Sequence, residues 1–187
     1  MKQMILLGGA LFFLLPAFSQ SKKQVKSLGI KSSMETITDK VDGKDNTYKD
    51  LFKVYDKNGN LIEETEYKKD GNIKKRSTWK YDGSGNKIEE TEFHPEKKID
   101  RKTAYKYNSS GLRSEETEMD GNSKVLKKIV MNYNSRGEKI SEMTYDGNGK
   151  LTKKETYSYD KNGLRTEKKT YNADDVLISV KTYSYTK

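Results

Sequence analysis

Cysteine is absent from this 187-residue chain, histidine and tryptophan occur once each, and proline occurs twice. Without cysteine there is no disulfide framework and no thiol to carry a lipid anchor. The lone histidine, His94, stands in a turn before Pro95, so no His or Cys cluster exists for zinc. Neither a Gly-x-Ser-x-Gly elbow nor a phosphate-binding glycine loop is found. Apolar residues are also scarce: they make up 32% of the chain against 35% charged, with a mean hydropathy of −1.04. That balance excludes a thick two-layer core. No cofactor, metal or catalytic residue is expected, and the chain does not read as an enzyme.

Long hydrophobic runs are missing but for one. Lys2, the apolar stretch Met4 to Leu15 and the small-x-small group Ala17-Phe18-Ser19 have the order of a secretory signal peptide. The run is about 12 residues, short of the roughly 20 that span a bilayer. Residues 1–19 are therefore expected to be removed before Gln20, which places the mature protein in the periplasm, on the cell surface or outside the cell, with no membrane span. Residues 20–30 read as a flexible lead-in, and residues 31–187 as one array.

What the chain has is tyrosine and glycine, 13 and 14 residues respectively, a mixture suited to strands and turns. Tyr55, Tyr81, Tyr107, Tyr133, Tyr159 and Tyr185 stand 26 residues apart without interruption. A second series, Tyr67, Phe93, Met119, Tyr145 and Tyr171, keeps the same period. The first series is followed by turns such as Tyr55-Asp56-Lys57-Asn58-Gly59 and Tyr133-Asn134-Ser135-Arg136-Gly137. Asp or Asn bonds back to the backbone there, and Gly takes the left-handed position. Turns after the second series, such as Asp120-Gly121-Asn122, look looser. Asp56 to Asn60 has the opening of a calcium loop, but Leu61 and Tyr67 stand where Gly and Glu are required.

The spacing predicts an all-β chain: an antiparallel meander of about twelve strands built from 26-residue hairpin repeats, as a single-layer or curled sheet. The first strand is expected between Lys31 and Val41, with its register open. Leu51, Phe52 and Val54 mark one apolar end, and Val176, Leu177, Ile178 and Val180 the other. Tyr-Asp-x-x-Gly-Asn, at Tyr55 to Asn60 and Tyr81 to Asn86, resembles the YD repeat of the RHS-repeat families and related MORN-variant arrays. The resemblance covers roughly residues 41–187. It implies stacked hairpins in an exported bacterial protein that scaffold or enclose other things.

Alternate residues of the strands ending on the first series share a face, which collects Trp79 and Tyr81, Tyr105 and Tyr107, Tyr157 and Tyr159, and Tyr183. Acidic strands (Glu89, Glu90, Glu92) alternate with basic ones (Arg101, Lys102; Lys153, Lys154), an order that opposes unlike charges and helps fix register. Lys168 and Lys169 replace glutamate late in the array, so a polyanion would favour that half. The candidate binding face is Trp79, Tyr81, Tyr105, Tyr107, Tyr157, Tyr159 and Tyr183 with Lys153 and Lys154. The expected function is a non-catalytic binding or scaffold module for an envelope glycan, acidic polymer or protein. The alternative is an immunity or assembly factor that joins a partner protein through an exposed β edge. Nucleic acid is not an expected partner.

Overall fold

The computed structural model of the chain describes residues 21–96 and 99–186; the signal-peptide segment lies outside them. Twelve strands form one antiparallel sheet in strict sequence order, β1 to β12, and the sheet is not closed into a barrel. The outer strands are β1 (Ser32–Val41), paired with β2 (Lys44–Tyr55), and β12 (Leu177–Thr182), paired with β11 (Arg165–Asn172). Between β2 and β11 run β3 (Leu61–Tyr67), β4 (Ile73–Tyr81), β5 (Lys87–His94), β6 (Ile99–Tyr107), β7 (Arg113–Asp120), β8 (Val125–Tyr133), β9 (Lys139–Asp146) and β10 (Leu151–Tyr159). No helix among the described residues is long and apolar enough to cross a membrane.

Two sequence expectations are corrected at the N-terminal end. Leu51, Phe52 and Val54 do not form an edge, because β1 pairs them with Glu35, Met34 and Ser32. The β1–β2 hairpin closes through Asp42 and Gly43, whose φ angles of +50° and +75° give the paired left-handed turn that suits strand twist. The lead-in holds a short helix, α1 (Lys22–Ser27), opened by a capping box between Ser21 and Gln24. Its Val25 is 1% exposed, and apart from Tyr157 no other hydrophobic side chain among the described residues is buried. The sheet therefore has almost no core; lateral pairing holds it.

Most of the turns share one construction. In Asp82 to Asn86, the Gly85 N–H donates to the Asp82 carbonyl, and the Asp82 side chain accepts from the N–H groups of Ser84 and Asn86 at 2.9 Å. Asn134 does the same for Arg136 and Glu138, since only the acceptor oxygen matters. Of the second-series turns, expected to be looser, those at Asp120, Asp146 and Asn172 repeat this, whereas the turn after Tyr67 has Lys68 in that place and departs from it. The turns at Asp120 and Asn172 differ at the left-handed residue, which is Ser123 (φ +65°) or Asp175 (φ +61°), while the Asp146 turn keeps Gly149. Each of these turns feeds a register shift at the residue before it, as between Lys80 and Tyr81.

The left-handed backbone gives a stability test. Gly137 has φ +80° with only Leu112 near its α-carbon, so Gly137→Ala is expected to cost about 1 kcal/mol. Ser123→Gly is expected to raise stability by a smaller amount, because glycine also loosens the unfolded chain. Urea unfolding midpoints of the two variants should move in opposite directions.

Candidate functional site

The first-series tyrosines lie along one face, and their hydroxyls tie neighbouring strands together. Tyr81, Tyr107, Tyr133, Tyr159 and Tyr185 donate to the carbonyl oxygens of Leu61, Lys87, Arg113, Lys139 and Arg165, at 2.7–2.9 Å. Each acceptor opens the strand before, so the hydroxyl closes the end of a hairpin that its turn leaves open. This is the latch face. The candidate residues Tyr81, Tyr107 and Tyr159 are therefore half-buried structural groups whose polar ends are already used.

The acceptor residues form a third 26-residue series, Leu61, Lys87, Arg113, Lys139 and Arg165. Its cations bracket the other candidate rings. Tyr105 lies between Lys87 (5.1 Å from the ring centroid) and Arg113 (4.4 Å), and Tyr157 between Lys139 (5.0 Å) and Arg165 (4.5 Å). Three of these cations also hold the carboxylate three residues on: Lys87–Glu90 at 2.6 Å, Arg113–Glu116 at 3.2 Å and Lys139–Glu142 at 2.5 Å. The series begins on the apolar Leu61, which shares with Val25 of α1 the lining of a cleft of about 830 Å³.

Lys153 sits on the latch face within a buried network. Glu155 is 5% exposed and accepts from Lys168 (2.8 Å), Tyr157 (2.9 Å) and Lys153 (3.2 Å). Burial alone would raise its pKa, but these three donors outweigh burial and hold the carboxyl at about 2. Burial first, and then the Glu155 carboxylate, push the Tyr157 phenol above its ordinary value.

Lys154 departs from the candidate set. It pairs with Tyr171, and its ammonium lies 5.0 Å from that ring, on the opposite face of the sheet. The whole second series is there: Phe93, Met119, Tyr145 and Tyr171 pair with Arg76, Lys102, Lys128 and Lys154. The expected acid–base alternation appears as shared carboxylates. Glu89 holds Lys80 and Lys102, Glu115 holds Lys106 and Lys128, and on the latch face Glu118 holds Arg101 and Lys127. Each such glutamate serves two cations, so positive charge is left over. Trp79 and Tyr183 are half-buried on the latch face. Among the described residues no group of three or more His, Asp or Glu side chains is arranged to hold a metal ion.

A family model described as "Uncharacterised protein" matches residues 94–187, half of the chain. The chain belongs to that family. No curated protein matches it. Among solved structures, the chain is coarsely similar to the Photorhabdus luminescens Tc holotoxin pore, with 14% identity and a TM-score of 0.32 over 81% of this chain. It spans 11% of the length of that toxin chain. A porin-like protein from Bacteroides uniformis is 15% identical, with a TM-score of 0.31 over 74% of this chain and 86% of the other. A Bacteroides fragilis protein of unknown function is 15% identical, with a TM-score of 0.19 over 84% and 96%.

Two measurements check this arrangement. Tyr133→Phe removes one latch bond and is expected to cost about 1 kcal/mol in chemical unfolding. Glu155 is held below its ordinary pKa of 4.5, so its stabilisation is full above that pH and is lost as pH falls through about 2. Glu155→Gln should lower stability at neutral pH by about 2 kcal/mol. It should also flatten the decline that the parent chain shows on acidification, followed by circular dichroism.

Proposed function

We propose that this chain is an exported, non-catalytic binding module of the RHS-repeat type that holds an acidic envelope polysaccharide along its latch face. The observation that carries the reading is the alternation of rings and cations, with Tyr105 and Tyr157 each bracketed by two cations from successive repeats. The two bracketed rings are four strands apart, roughly 20 Å, with Met131 at the equivalent place between them, comparable to two disaccharides of an extended chain. A periodic polymer can then meet a cation–ring cluster at both places, so weak contacts sum by multivalency. The shared glutamates support an anionic ligand, since basic residues outnumber acidic ones by 37 to 28 over the chain. Lys2, Met4 to Leu15 and Ala17-Phe18-Ser19 support export. The turn motif at Tyr55 to Asn60 supports the repeat type.

The mature chain is expected to be retained on immobilised alginate and released as salt rises, with no retention on neutral dextran. Passage through alginate at low salt without delay would overturn the reading.

A second reading rests on β12. Its six residues are all exposed, with Ile178 at 60% and Val180 at 47%. The Tyr183 N–H donates to the Thr166 carbonyl, so by alternation the backbone groups of Val180 point away from β11. A partner protein could add a strand there. Val180→Pro removes an outward N–H without breaking the β11–β12 ladder. Envelope proteins captured by the parent chain and lost from this variant would favour the edge; equal capture by both would dismiss it.

A further inference from the structure

The last repeat breaks the charge rule of the others. In three successive repeats the cation of the third series holds the glutamate three residues on, but Arg165 has Lys168 at that position. Among the described residues no carboxylate lies within ion-pair distance of Arg165, and its Nε is buried without a hydrogen-bond partner. The guanidinium lies 4.5 Å from the Tyr157 ring centroid and 3.4 Å from the Tyr159 hydroxyl, which fixes its position without neutralising it. Lys168 pairs in register with Lys181 of β12, so two like charges stand opposite each other on the same face. Glu155 is the acid bonded to Lys168, and it is shared with Lys153.

From this geometry we infer that Arg165, Lys168 and Lys181 form a binding subsite for the carboxylate of an acidic saccharide. The inference rests on the polysaccharide reading above and gives it a location. The argument for a carboxylate is internal to the fold, because each earlier repeat fills the matching place with a glutamate carboxylate of its own. A ligand carboxylate entering the last repeat restores the missing counter-ion to Arg165 and separates Lys168 from Lys181. Arginine and carboxylate match in planar geometry, and the half-buried setting strengthens the pair relative to water.

Galacturonate oligomers are the probe, with binding measured by calorimetry and by the NMR shift of the arginine Nε–H signals. Arg165→Gln and Lys168→Gln are each expected to weaken binding about tenfold. Lys161→Gln, an equal loss of charge in the exposed turn of the same hairpin, should change it little. Thermal melts of all three should show folded protein; a variant that melts early is replaced by Lys181→Gln, which carries the same expectation. If Lys161→Gln weakens binding as much as the others, the effect is net charge and the subsite is wrong. Displacement of the oligomer by inorganic phosphate or dextran sulfate at lower concentration would show a general anion site and overturn the carboxylate assignment. Parent and variants retained equally on alginate would remove the subsite and leave the wider reading standing. Absence of retention for the parent chain would remove both.

Discussion

A phenol hydroxyl reaching the backbone carbonyl of the preceding strand is the contact on which this sheet depends. Most folds bury an apolar interior; here only Val25 and Tyr157 are buried hydrophobic residues among those described. Register must then be set along the plane of the sheet. The tyrosine at the end of one strand does this by binding the first residue of its neighbour, five times over at one spacing. A slip of one residue would turn every such tyrosine to the other face and strand its hydroxyl away from the carbonyl.

Charge supplies the second level of specification. Exposed ion pairs contribute little each, but a glutamate placed between two cations penalises pairing of like strands. The latch face adds cation–ring contacts to this scheme, so its side chains serve the sheet before they serve any ligand. In the proposed reading, binding chemistry lies where the internal pairing is incomplete. Arg165 and Lys168 mark that place because the pattern runs correctly through Glu90, Glu116 and Glu142 and then changes sign.

Much of this was legible in the amino-acid order, because a meander of hairpins is written locally. The tyrosine period located the first-series turns, and side-chain alternation placed Trp79, Tyr105 and Tyr157 on a common face. The edge at Ile178 was also plain. The misses have physical reasons. The hydroxyl latch joins residues 20 apart, a distance that a search for equal repeats does not reveal. The turn at Asp120 looked irregular because Ser123 occupies a backbone region usually reserved for glycine. The Ser21–Gln24 capping box was present to be read, but a basic, polar segment without periodicity offered no reason to place a helix there. Lys153 and Lys154 were grouped by charge, although adjacent residues of a strand face opposite ways.

The strict order of the strands has a consequence for how such a chain can change over time. Each hairpin leans only on the two beside it, so the array resembles a row of tiles rather than an arch with a keystone. Duplicating or deleting a whole unit would alter the reach of the face and leave every remaining junction intact. Losing part of a unit would break the row. Length is thus a quantity that selection can adjust in whole steps, while the chemistry of any one step, such as the altered charges at Arg165 and Lys168, can drift independently of the rest.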